Sequence, residues 1–383
     1  MSVIFSPTLN IIEPNIHEVD VSKFKNLLFL DLSGNQLDKL ILKDYLESVD
    51  LSNSNISSLI DIKGLKSVGY LDLSYNSIEN LYGIENIESI TGLNLSYNKI
   101  NNLYGIDGKG LNLIDLSNNE ISNIEFINDI NIKNVMLREN NIKDITKLKN
   151  SNIEYIDLSK NPGILDYSSL KDIKSIVLEE NDIKNAELLE ALTNAEFLDL
   201  SNNDIGNLTP LNHLLNLKIL IIDGNENISG ILDNNIESLS IKDCKLNDFD
   251  ISKLIRIRSL DVSDNFIDII KLLQSKQDDF YVSGENVFLT QQQLEYLVNE
   301  KEVLNNRHIY FSLYKPVINI DIEIPYDLSN LKWLKLNSNS EIQNGFIKDG
   351  LLDVIDDSNE IILNLNNQIE YFIFNPIIKF NVK

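Results

Sequence analysis

Hydrophobic and polar positions recur along this chain in one fixed phrase. Leu71-Asp-Leu-Ser-Tyr-Asn76-Ser-Ile78 returns 22 residues later as Leu93-Asn-Leu-Ser-Tyr-Asn98-Lys-Ile100. The apolar-polar-apolar opening predicts a short strand that sends both leucines to one face and the residues between them to the other. Self-similarity at a fixed period marks a repeat architecture, in which stacked units share one continuous core.

The asparagine position can be followed from Asn35 to Asn265 as twelve units spaced 19 to 22 residues apart, with Ser54 and Cys244 the two departures. Each unit carries an apolar pair five and three residues before it, as in Ile114 with Leu116 or Leu198 with Leu200. Where the chain turns after the strand, backbone groups lose their ladder partners, and a buried amide side chain with donors and an acceptor can satisfy them. Ser supplies part of that set and Cys a weak version, so those two repeats are expected to be locally looser.

The segments between strands are short and rich in Ile and Asn, as in Ile121-Ser-Asn-Ile124, and predict turns and 3-10 pieces. Ala186-Glu-Leu-Leu-Glu-Ala-Leu192 is the exception, with a composition that predicts about two helical turns. Residues 1–20 read as an N-terminal cap, 21–280 as the repeat array and 281–383 as a C-terminal helix with a β-rich domain. In that last part Phe280-Tyr-Val and Val287-Phe-Leu flank Ser-Gly-Glu-Asn as a hairpin would. Thr290-Gln-Gln-Gln293 reads as a capping box opening a helix through about Asn305. Strands are expected at Ile309 to Tyr314, Val317 to Ile324, Trp333 to Leu336, Ile361 to Leu365, Glu370 to Phe374 and Ile377 to Val382. The rival reading makes Leu331, Leu334, Leu336 and Asn339 a thirteenth repeat.

The unit resembles the 21 to 22 residue leucine-rich repeat shared by bacterial internalins and phosphatase-regulatory proteins. That resemblance implies an α/β, β-dominated fold: a right-handed solenoid with a parallel concave sheet. An internalin-like plan adds an immunoglobulin-like domain after the repeats. It also implies a non-enzymatic module that recognises a protein partner through the concave face. The alternative is an intracellular regulatory or targeting subunit of an enzyme such as a phosphatase.

Charge narrows the partner. With 58 acidic and 33 basic side chains the formal net charge is -25, which argues against a general nucleic-acid or anionic-membrane surface. Cys244 is the one cysteine, so no internal disulfide framework exists. Neither a signal peptide nor an apolar run long enough for a membrane span is visible. The expected location is cytoplasmic, or a bacterial surface if a leader has been removed, and the expected state is a monomer.

Catalytic chemistry finds little purchase. His17, His213 and His308 are far apart along the chain, no phosphate-binding loop or paired metal-ligand spacing is present, and no catalytic residue, metal or cofactor is expected. Cys244 sits at a ladder position and reads as a buried structural thiol. The concave positions lie four, two and one residues before each ladder residue, and most follow a consensus of Asp, Ser and a variable residue. Those that break it form the candidate binding patch: Tyr75, Tyr97, Met136, Arg138, Lys160, Val177 and Ile221, with Lys242 at its margin. Aromatic side chains are enriched in binding hot spots, and an exposed Met and Val beside Arg are unusual on a hydrated surface.

Overall fold

The computed structural model describes residues 7–11, 16–149, 152–275, 279–314, 317–322, 326–327, 341–343, 345–348, 351–354, 360–364 and 377–382. It divides into two units, Met1–Ile183 with Glu187–Leu200, and Lys184–Ala186 with Ser201–Lys383.

In the first unit each repeat contributes one strand to a parallel sheet, in chain order. Those strands are Thr8–Asn10, Phe29–Asp31, Tyr45–Asp50, Ser67–Asp72, Ser89–Asn94, Leu113–Asp115, Asn134–Met136, Tyr155–Asp157, Ser175–Val177 and Phe197–Asp199. The register repeats the sequence period: Leu71 pairs with Leu93 and Ile114 with Val135. The inward pairs, such as Leu71 with Leu73 and Ile156 with Leu158, are buried. Truncating one such side chain to Ala costs roughly 2–5 kcal/mol. A second parallel sheet of Glu18–Asp20, Lys39–Ile41 and Ile62–Lys63 lies between the main strands in sequence. Elsewhere the return segments are short 3-10 turns, among them Ile84–Asn86, Glu125–Asp129 and Ser168–Leu170.

The ladder residues make the bonds their chemistry predicts. Asn161 Nδ2 donates to the carbonyls of Leu137 (2.9 Å), Leu158 (3.0 Å) and Ser159 (3.1 Å), while its Oδ1 accepts from the Ile142 N–H at 3.1 Å. Ser54 substitutes in part: its hydroxyl donates to the Leu32 carbonyl at 2.9 Å, and its backbone carbonyl takes the Leu37 N–H at 3.1 Å. Cys244 is buried, with Sγ 3.3 Å from the Ile222 and Lys242 carbonyls, and burial pushes its thiol pKa up to about 12.

In the second unit the parallel strands are Ile219–Ile221, Ser238–Ser240, Ser259–Asp261, Phe280–Glu285 and Ile309–Tyr314. This corrects the expected hairpin. Phe280–Glu285 pairs in parallel with Ser259–Asp261 and Ile309–Tyr314, whereas Phe288–Thr290 pairs with Val317–Ile322 in another sheet. Phe280, Val282 and Gly284 are buried, and Val282 pairs with Leu260, so the inward face continues the repeat pairing and overrides the turn signal that follows. The helix at Ala186–Leu192 is likewise corrected to a 3-10 turn, Ala186–Leu189, since Leu189 and Leu192 are fixed in the core by a return too tight for an α-helix.

The capping box at Thr290 is present, with reciprocal bonds to Gln293, and opens the helix Gln291–Asn299, followed by Lys301–Asn306. Beyond it, Phe288–Thr290, Val317–Ile322, Ile377–Val382, Glu360–Asn364 and Glu341–Gln343 form a mixed sheet. Tyr326–Asp327, Leu351–Val354 and Gly345–Lys348 form a small antiparallel one. The expected strands at Trp333 to Leu336 and Glu370 to Phe374, and the rival repeat ending at Asn339, lie outside the described residues.

Candidate functional site

Two of the three outward columns have structural duties. The aspartate four residues before the ladder position accepts the N–H of the serine two residues on, as Asp50 does from Ser52 (2.9 Å), Asp72 from Ser74 (2.9 Å) and Asp115 from Ser117 (2.9 Å). Asn94 does the same for Ser96 at 3.0 Å, so the bond requires the acceptor oxygen and not the charge. These local side-chain bonds tie off the end of each strand that carries the acceptor.

The column one residue before the ladder position is left-handed in every repeat from Gly34 to Asp264. Gly and Asn suit that conformation, and they occupy it at Gly34, Asn53, Asn118, Asn202 and Gly224. Tyr75 and Tyr97 occupy it too, both with φ of 55°. Their rings stack with centroids 4.2 Å apart and planes 8° from parallel, and the residues are 56% and 46% exposed. The neighbouring Tyr97 phenol is the main reason that Tyr75 is held above its ordinary pKa, and burial adds to it.

Farther along the same unit, the consensus breaks are assembled into one cluster. Strand register places Asp157 between Met136 and Val177. Removal from water beside these apolar neighbours raises the Asp157 pKa against the lowering effect of Ser159, whose N–H it accepts at 2.8 Å, and of Arg138. Arg138 Nη1 bonds Glu179, and Nη2 lies 3.8 Å from Glu180. Burial opposes the Arg138 charge, but Glu179 and its acidic neighbours outweigh it and hold the guanidinium pKa above the usual value. Lys160 lies 3.6 Å from Glu139 and 3.7 Å from Glu180. The two cations of the expected patch are therefore already paired within the protein.

Ile221 belongs to the second unit, where it pairs in register with Ser240. Nearby, Asp223 accepts from the Ser240 hydroxyl (2.6 Å) and the Lys242 N–H (2.8 Å), while Lys242 Nζ lies 3.3 Å from Asp261. Tyr75, Tyr97, Met136, Arg138, Lys160 and Val177 all stand on the outward sheet positions of the first unit.

A fourth outward column escaped the sequence reading. The residue six before the ladder position shares the face of the aspartate, and there the first unit carries Phe29, Tyr70, Leu113, Tyr155 and Phe197. Tyr70 lies across Gly92 in the neighbouring strand, where an added Cβ would meet the Tyr70 ring at 2.8 Å. Burial first, and then the charge of Asp72, raises the Tyr70 pKa. Strict alternation counted outward from the Leu-x-Leu pair would have found this row.

No protein-family model and no curated protein matches the chain. Solved structures do. The functional domain of InlJ from Listeria monocytogenes matches with a TM-score of 0.51 at 15% identity, covering 98% of this chain and 86% of that one. The leucine-rich-repeat protein LIC12759 of Leptospira interrogans matches with a TM-score of 0.54 at 20% identity, covering 79% and 85%. The chain has the internalin-like leucine-rich-repeat fold. TLR13, solved in complex with ssRNA13, is similar at a TM-score of 0.52 and 17% identity over 82% of this chain and 56% of its own. Among the described residues of this leucine-rich-repeat protein, no helix is long and apolar enough to cross a membrane.

Proposed function

We propose that the outward sheet face of the first unit, the concave face of the leucine-rich-repeat fold, is a protein-recognition surface, and that the protein acts by binding and not by catalysis. The carrying observation is the Tyr75–Tyr97 stack: two half-exposed aromatic rings on backbone whose conformation favours Gly or Asn. Nothing in the repeat needs a ring there, so the ring answers to something outside the repeat. Met136 and Val177 extend the surface, with the Arg138 and Lys160 ion pairs as its polar border. A nucleic-acid partner of the kind seen with TLR13 is disfavoured by the net charge of -25. On this reading the β-rich region beyond the helices serves as an end cap or spacer, with Phe280–Glu285 and Ile309–Tyr314 prolonging the repeat ladder.

The test is capture of binding proteins with the full chain as bait, beside the Tyr75→Asn/Tyr97→Asn double variant. Partners lost from the variant while its thermal unfolding is unchanged support the proposal. A partner retained in full by the double variant refutes it.

A further inference from the structure

We propose that the first-unit sheet face between Phe29 and Asn118 docks an arginine-containing basic segment of a protein partner. This rests on the protein-recognition reading above and names the chemistry of what is recognised. The face carries exposed aromatic rings: Tyr70 packs over Gly92 of the neighbouring strand, and Tyr75 stacks on Tyr97 in the same two repeats. Planar cations pack on such rings, and a guanidinium does so while its edge donates to carboxylates.

Charge complementarity selects that occupant. In these repeats the outward columns hold no Lys or Arg, while Asp31, Asp50 and Asp115 line the same face. Each uses one oxygen for the N–H of Ser33, Ser52 or Ser117, and its second oxygen has no hydrogen bond among the described residues. Asp72 differs, because Asn94 Nδ2 donates to its second oxygen at 2.9 Å. Farther along the unit, the acidic side chains Glu139, Glu179 and Glu180 already hold Arg138 and Lys160. The protein thus supplies its own cations to one part of the face and none to the other. An acidic or neutral apolar partner would leave the three carboxylates uncompensated on burial.

The experiment titrates labelled acetyl-nona-arginine-amide with the full chain by fluorescence anisotropy at low and high salt. Three variants are compared with wild type: Asp31→Asn/Asp50→Asn/Asp115→Asn, which keeps the acceptor as Asn94 does naturally; Tyr75→Asn/Tyr97→Asn; and Glu79→Gln/Asp107→Asn/Asp129→Asn. The last removes equal charge from exposed positions outside the face columns. Circular dichroism confirms that each is folded. Expected are salt-sensitive binding to wild type, a loss of about tenfold or more in the face aspartate variant, and a change within about twofold in the control. The tyrosine variant should weaken binding about fivefold. Absence of binding at low salt, or equal weakening by the two charge variants, overturns the proposal. A captured partner that needs Tyr75 and Tyr97 but ignores the face aspartates and salt also overturns it, and leaves the protein-recognition reading standing. Capture that survives loss of both tyrosines removes that reading itself.

Discussion

Removing one ladder asparagine from the middle of the first unit should open the coil locally, by an amount that its bonds determine. Asn161 is 1% exposed and replacing it with Ala deletes four hydrogen bonds at once. They are not equivalent. The Leu137 carbonyl keeps Asn140 Nδ2 at 3.0 Å, the Leu158 carbonyl keeps Asn181 Nδ2 at 3.1 Å, and the Ser159 carbonyl keeps the Glu139 N–H at 2.9 Å. Each of these acceptors loses a second partner, at about 0.5–1 kcal/mol apiece, whereas the buried Ile142 N–H is orphaned at about 1–3 kcal/mol. The total is about 2.5–6 kcal/mol for Asn161→Ala. Asn161→Ser should cost about 0.5–1 kcal/mol less, because a hydroxyl can return one donor, as Ser54 does toward the Leu32 carbonyl.

Repeat arrays open locally, so the sensitive readout is amide exchange at Ile142 and its neighbours, with urea unfolding as the global check. Protection at Ile142 should fall in both variants, and further in Ala than in Ser. An Ala variant that loses under about 1 kcal/mol would refute the idea that the buried amide ties the coils together. Equal losses in Ser and Ala would refute the partition between donors and acceptor.

The remaining predictions concern single departures from the repeat. Cys244→Asn should stabilise by about 0.5–1 kcal/mol in urea unfolding, since an amide replaces a weak thiol donor to the Ile222 and Lys242 carbonyls. The Tyr167 hydroxyl is buried without a hydrogen-bond partner among the described residues, so Tyr167→Phe should raise stability by about 1 kcal/mol by calorimetry. Asp157 has a raised pKa in the folded chain, so its contribution is most favourable below the ordinary carboxylate value and fades as pH rises through the raised one. Asp157→Asn should therefore melt at or above wild type at neutral pH, and the difference should vanish near pH 3, where both states are protonated. Tyr75→Asn/Tyr97→Asn should melt no lower than wild type, since relief of the left-handed backbone offsets the lost stack; a clear fall would show that the tyrosines serve the fold.

The repeat array was legible because one inward pair and one amide recur at a spacing too regular to hide. Legibility failed where the ladder outlived its asparagine. At Phe280–Glu285 the register with Leu260 puts Val282 and Gly284 at the inward positions and the buried Val287 at the ladder position, so with a glycine in the pair and no asparagine after it the segment reads as a hairpin although it pairs in parallel. Ala186–Leu189 failed for the opposite reason. Its composition favours a helix, but the return between strands leaves room only for a tight turn.

The candidate site was half legible, and the division is physical. Sequence marks residues that depart from a consensus, which found the stacked tyrosines and the cluster around Arg138. It does not say what the consensus itself is for. The aspartate column resembles a charge row until its bonds to serine N–H groups show that it closes its own strands, as Asn94 does without charge. Nor does it say which departures compensate one another: Arg138 and Lys160 stand out singly, yet Glu139, Glu179 and Glu180 neutralise them. What distinguishes Tyr75 and Tyr97 is that no such internal partner accounts for them. Each has the other, on a backbone that prefers smaller residues, so one ring explains its neighbour but the pair explains nothing in the repeat. That residue of unexplained cost is the physical ground for placing recognition there, ahead of the equally unusual but internally satisfied Arg138 cluster.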